Sequence, residues 1–250
     1  MHPLLYTLEE ACFQALPRRG EAMVTSLVKR LLGLCGRTRL RGYTVFGQKH
    51  IPMLRLLDEL RRRGVRVKDL DALEIFGRDG LDHTTTYGGD VRSLEVWEID
   101  EDRRAELEKN LPGASIKIVD SYEEIARTPK RFDLVVVDNA MGLYGAHCDH
   151  FDFFPDGIFR IARDECVLAL IVIPRIDDAT LRHFPNLRNP EYLSRRAAFY
   201  GVEDAADIPR GRIVETYRGF VERSGRRLDW SFLMKRSGAG VDYLVLKISR

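Results

Sequence analysis

The chain has 250 residues, 44% hydrophobic and 31% charged, with a formal net charge of +2. This balance excludes a disordered or low-complexity protein and is enough for one α/β domain with an appended segment. No apolar run approaches the roughly 20 residues of a membrane-spanning helix, the longest candidate being residues 167–174. The first residues meet Glu9 and Glu10 before any basic stretch or long apolar core, so no signal peptide is expected. Cys12, Cys35, Cys148 and Cys166 are scattered without paired spacing. They predict reduced thiols in a cytoplasmic protein, not a disulfide frame or a zinc knuckle.

Charge is uneven along the chain. Residues 18–68 hold fourteen Lys or Arg against Glu21, Asp58 and Glu59, which gives +11 and leaves −9 for the remainder. Within this segment, 22–34 and 51–60 have the apolar spacing of amphipathic helices, and Pro52 fits a first turn. Arg61, Arg62 and Arg63 follow at a helix end, where cations are favoured whatever the function. Arg37-Thr-Arg-Leu-Arg-Gly-Tyr43 instead alternates bases with other groups in a non-helical stretch, which makes Arg39 and Arg41 candidate contacts to an anionic substrate. Residues 1–68 are expected to form a helical basic extension, and 69–250 the main domain.

The main domain opens with an apolar run, Asp71-Ala-Leu-Glu-Ile-Phe-Gly-Arg-Asp-Gly80, that ends in a Gly-containing turn. A second run, 94–100, ends in acids, and Glu98 stands 21 positions after Gly77. In a parallel α/β sheet such a turn approaches a nucleoside cofactor closely, while a carboxylate about 20 residues on accepts the ribose hydroxyls. Residues 101–110 read as a helix with acids in its first turn. A third strand is expected over 115–120, a fourth over 132–138 and a fifth over 167–174, stopped by Pro174. The stretches 230–235 and 241–248, joined across 237–240, predict a terminal hairpin. Trp97 alternates with Glu98 and is expected in the core. His83 to Thr86 would open a helix whose first amides the hydroxyls can cap. Residues 192–200 read as a helix carrying Arg195 and Arg196.

Strand–helix alternation closed by an antiparallel hairpin resembles the class I S-adenosylmethionine-dependent methyltransferases over about residues 69–250. The resemblance implies a doubly wound, Rossmann-like sheet of seven strands whose antiparallel last strand inserts beside the fifth. It also implies S-adenosylmethionine as cofactor. Cofactor contacts are then expected from Glu74, Phe76, Gly77 and Gly80 after the first strand, from Glu98 and Ile99 after the second, from Asp120 and Ser121 after the third, and from Asp138 after the fourth. The family's glycines two, four and six residues after the first acid correspond here to Phe76, Arg78 and Gly80, with Gly77 offset by one.

The loop after the fourth strand, 138–155, holds the densest chemistry. Methyl transfer needs alignment of the acceptor and, for a hydroxyl, a base. His147 or His150 is the candidate base, Asp138 or Asp149 its orienting acid, and Asn139 and Tyr144 candidate acceptor contacts. The competing readings are a divalent metal held at His147-x-Asp149-His150-x-Asp152, and a polar surface loop anchored by Phe151, Phe153 and Phe154. The spacing fits no zinc signature, and no metal is expected. The sequence thus predicts methyl transfer to an oxygen, or less favourably a nitrogen, of a small polar acceptor such as a sugar or metabolite. The alternatives are an RNA methyltransferase that uses the basic segment, and a catalytically degenerate binding protein. A membrane partner is not expected, and a homo-oligomer remains open.

Overall fold

The computed structural model describes residues 50–81, 83–138, 142–236 and 240–250. Arg39, Arg41, Asn139 and the stretch 22–34 lie outside the described residues. Helix α1 (His50–Arg62) comes first, then strand β1 (Asp71–Ile75), helix α2 (Thr84–Tyr87), β2 (Ser93–Glu98), α3 (Arg104–Asn110), β3 (Ser115–Ile118), α4 (Ser121–Arg127) and β4 (Phe132–Val137). A small antiparallel pair follows, β5 (Leu143–Tyr144) with β6 (His147–Cys148). The rest is α5 (Ile158–Ile161), β7 (Ala162–Val172), α6 (Asp178–His183), α7 (Pro190–Tyr200), α8 (Arg210–Arg223), β8 (Arg227–Lys235) and β9 (Asp242–Ser249).

Seven strands form one sheet in the order β3–β2–β1–β4–β7–β9–β8. The first five in that order run parallel, β9 is antiparallel to β7, and β8 is antiparallel to β9. This is the expected doubly wound sheet, with the last strand inserted beside the fifth parallel one. Strand order reverses between β1 and β4, and the crevice beyond their carboxyl ends is where such sheets bind ligands. The register sets Ile75 beside Trp97 on one side and Val137 on the other, so β1, β2 and β4 end level and their following residues share one edge.

Residues of β1, β4 and β7 are buried along almost their whole length, as strands covered on both faces require. Trp97 is fully buried, and its indole N–H donates to Glu95 at 2.7 Å. Met53, Leu56, Leu57 and Leu60 make one stripe of α1 and enter the same core, each burial being worth roughly 1.5–3 kcal/mol. The helix expected over 101–110 begins with a 3₁₀ turn, because Asp100 caps the Asp102 amide before the α-helix starts at Arg104. Strand β7 begins five residues before the expected position, since α5 lasts a single turn and the chain extends directly from Ile161. The hairpin is longer too, and a register shift between Leu228 and Trp230 lets β8 reach back to Arg227. At the amino edge Asp71 accepts from Arg92 and Arg163, and the Arg92 hydrogen bond holds its carboxyl well below the usual range. Among the described residues no helix is long and apolar enough to cross a membrane.

Candidate active site

A fully buried set of charges sits at the switch point. Glu74, near the end of β1, and Asp138, one residue beyond β4, are both inaccessible to solvent, and His83 lies between them. His83 Nε2 is 2.8 Å from Glu74 Oε1, and His83 Nδ1 is 2.9 Å from Asp138 Oδ2. The Tyr87 hydroxyl donates to Glu74 Oε2 at 2.5 Å. On the other side Asp138 accepts from the Tyr243 hydroxyl and pairs with the guanidinium of Arg236, at the end of the β8–β9 hairpin. Burial alone would strip the proton from His83. The Asp138 and Glu74 carboxylates outweigh it and push His83 up to about 10. Burial raises Glu74, whereas for Asp138 the His83 and Arg236 charges overcome burial and lower it. Two carboxylates thus meet two cations, which is how charges survive out of water. Both acids stand out in the sequence, at or near the ends of apolar runs. Tyr87, Arg236 and Tyr243 carry no local motif, and the histidine looked like part of a helix start.

The loop after β1 is folded as a glycine-type turn. Phe76 has φ 66°, Arg78 φ 51° and Gly80 φ 67°, all in the left-handed region that L-residues disfavour. Gly77 has no room for a side chain, because a Cβ there would lie 2.2 Å from Val96 Cγ1. Its amide bonds to the Trp97 carbonyl at 2.9 Å, which stitches the loop to β2. Glu98 then closes over the loop. Its Oε2 accepts from the Arg78 amide at 2.6 Å, and its Oε1 accepts from the Ile99 and Asp100 amides at 2.9 and 3.0 Å. Of the roughly four acceptor positions on a carboxylate, one is left on Oε2. Asp120 caps α4 by accepting from the Tyr122 amide at 2.9 Å, and Ser121 is buried beside it. Exposed large hydrophobic side chains gather at this edge as well: Leu81 after β1, Ile99 after β2 and Tyr144 after β4, with Ile99 at 67% exposure.

The loop after β4 separates its two histidines. His147 is half-exposed and stacks on Tyr122, with ring centres 3.9 Å apart and planes 7° from parallel. Its Nδ1 is 3.6 Å from Asp152, which Arg195 of α7 grips with two contacts of 2.7 Å. Tyr144 stacks on Phe76, so the rings of Phe76, Tyr122, Tyr144 and His147 form one aromatic group over the sheet edge. His150 is buried away from that group, beneath α7 and α8. Its Nδ1 meets Asp149 and its Nε2 meets the Tyr217 hydroxyl, with Phe151, Phe154 and Phe199 around the ring. Asp149 reaches its neighbour through a left-handed φ of 49°. Among the described residues no three His, Cys, Asp or Glu side chains converge as metal ligands.

No model of a known protein family matches the chain, and no curated protein matches it in sequence. Solved structures do match. Magnesium protoporphyrin IX methyltransferase from Synechocystis PCC 6803, with bound SAH, is 13% identical, with a TM-score of 0.52 over 81% of this chain and 83% of that one. An N-methyltransferase from Bradyrhizobium japonicum is 16% identical, with a TM-score of 0.46 over 79% and 96% of the two chains. A ribosomal protein L11 methylase from Lactobacillus delbrueckii is 12% identical, with a TM-score of 0.43 over 78% and 76%. Strand order and the first of these matches agree: the chain has the Rossmann-like fold of the class I S-adenosylmethionine-dependent methyltransferases.

Proposed function

We propose that this protein binds S-adenosylmethionine across the carboxyl ends of β1, β2 and β3 and catalyses methyl transfer to an oxygen of a small polar acceptor, a nitrogen being the less favoured atom. The observation that carries this reading is the left-handed backbone of Phe76 and Arg78, at positions where the resembled family has glycine. Holding two L-residues there costs about 1–2 kcal/mol each, and strain of this kind persists where a ligand-binding shape needs it. Low identity to the solved structures supports the fold alone, so the activity rests on the site.

The donor set suits the cofactor. The free acceptor position of Glu98 takes a ribose hydroxyl, and Asp120, with one oxygen used as a helix cap, keeps the other for an exocyclic amine. Ile99 offers the base an apolar face. The cofactor, when bound, supplies a methyl group activated on a sulfonium. His83 and Arg236 keep Asp138 ionised and fixed, and His83 and Tyr87 fix Glu74, so the polar groups at the end of β1 and β4 are preorganised for the charged end of the cofactor. His147, held by Asp152 and open to solvent, is the group we assign to remove a proton from an acceptor hydroxyl, and His150 holds the loop in place. Arg39 and Arg41 of the basic amino-terminal segment are assigned to an anionic acceptor. Calorimetric titration with S-adenosylmethionine tests the reading. Saturable one-site binding is expected, and a folded protein that takes up no cofactor would overturn it.

A further inference from the structure

The amino edge of the sheet, opposite the candidate active site, carries two adjoining clefts of about 570 and 760 Å³. They share Gly225, Arg226 and Arg250, at the junction between the end of α8 and the start of β8. Arg218 and Arg227 line the first cleft alone, and Arg160 and Arg223 the second alone. Six arginines therefore face three acids, Asp156, Glu222 and Asp229. Asp229 is already paired with Arg227 at 2.8 Å. Among the described residues, the exposed side chains of Arg160, Arg218 and Arg223 have no acidic partner.

Arg226 distinguishes this surface from a solvated basic face. Its residue is only 9% exposed. It donates to the Arg163, Phe159 and Ala162 carbonyls at 2.7, 3.1 and 3.0 Å, which fixes the guanidinium but leaves its charge without a carboxylate. Burial lowers its pKa; Arg250 and Arg131 nearby add like charge, while Asp164, which pairs with Arg250 at 2.9 Å, offsets part of it without touching the Arg226 guanidinium. Three of the roughly five guanidinium N–H groups are used, so two remain. A buried cation without a counter-ion is costly, and an anion in the cleft removes that cost. The carbonyl end of α8 accounts for Arg223, whose side chain lies over Phe220 at 4.6 Å, but not for Arg226. Arg218 stands on one side of the junction and Arg160 and Arg223 on the other, so a ligand that meets both sets carries negative charge towards each cleft.

We infer that this surface binds a ligand with two or more linked phosphate groups, seated on Arg226 and spanning both clefts. Guanidinium forks match phosphate oxygens in geometry as well as in charge. Linked phosphates occur both in small polyphosphates and in the backbone of a nucleic acid strand, and the same arginines would hold either. The site stands independently of methyl transfer, since it lies at the other edge of the sheet.

The test uses the full chain and two probes, inorganic triphosphate and a single-stranded RNA of roughly 12 nucleotides, titrated at about 50 mM salt, where phosphate contacts are strong. Arg160→Ala with Arg223→Ala removes two exposed guanidinium groups without disturbing the core. Arg182→Ala with Arg188→Ala removes the same charge from exposed positions elsewhere. Saturable binding weakened about tenfold or more by the first pair, and less than about twofold by the second, is expected. Binding of triphosphate alone makes the ligand a small polyphosphate, and binding of RNA alone makes it a strand. Absence of binding to both probes, or equal losses in the two double variants, would overturn the assignment.

Discussion

Replacing His83 by Gln removes the cation shared by two buried carboxylates while keeping a polar side chain of similar reach. At neutral pH Glu74 and Asp138 would then be compensated only by Arg236 and two tyrosine hydroxyls, and breaking a buried charge set this way costs ~3–5 kcal/mol. The pH dependence is more diagnostic than the total. His83 rises from an ordinary 6.5 to about 10 on folding, so the folded protein holds this proton more tightly than the unfolded chain. The stability it contributes is complete below pH 6.5 and is lost as pH rises through 10. Inside that window the loss is ~1.4 kcal/mol per pH unit, or about 2–3 kcal/mol between pH 7 and 9. Urea unfolding of both proteins at the two pH values reads it, because titrating groups remote from His83 cancel in the difference and only the bridged set of His83, Glu74 and Asp138 remains. A wild-type advantage that stays constant from pH 7 to 9 would refute the bridged cation. If the variant does not fold, the imidazole resonances of the wild type serve instead, and a His83 ring neutral at pH 8 is equally fatal.

Glu98→Ala should weaken S-adenosylhomocysteine binding by ~1.5–3 kcal/mol, the range for hydrogen bonds to a charged group, and unchanged calorimetric affinity in a folded variant would remove Glu98 from the site. Gly77→Ala places a methyl group 2.2 Å from Val96 Cγ1 and should cost ~1–3 kcal/mol of unfolding free energy, whereas Arg78→Gly relieves a φ of 51° and should gain up to ~1 kcal/mol. Opposite signs at adjacent positions in denaturant melts would verify the loop geometry. In a labelled-methyl transfer assay His147→Ala should lose ~100- to 10,000-fold in turnover at unchanged cofactor affinity, and wild-type turnover would exclude His147 as the base.

The sheet was legible because each parallel strand wrote its own pattern. Residues 132–138 are apolar and mostly β-branched apart from Asp133 and the closing Asp138; Glu98, Asp120 and Asp138 end or follow such runs, and Glu74 stands one residue before the end of its own. Trp97 was legible from its alternation with Glu98. Helix α8 was not, since its buried positions Ile213, Tyr217 and Val221 are diluted by charge over 210–223. Contacts across long sequence separations were hidden as well. Nothing local says that His83 will bridge Glu74 to Asp138, 55 residues further on, or that Tyr243 will reach the same acid from 105 residues away. The two histidines of the 138–155 loop look equivalent in sequence. Their separation into a half-exposed His147 and a buried His150 is set by Tyr200 and Tyr217, on helices α7 and α8, more than forty residues downstream.

Amide hydrogen exchange with and without S-adenosylmethionine tests the central claim most directly, because it reports both binding and place. The account predicts slowed exchange at the loops after β1, β2 and β3, covering Gly77 to Leu81, Glu98 to Asp100 and Asp120 to Tyr122, with the amino edge around Arg226 unchanged. Protection confined to another surface, or an exchange pattern that saturating cofactor leaves unaltered, would contradict it.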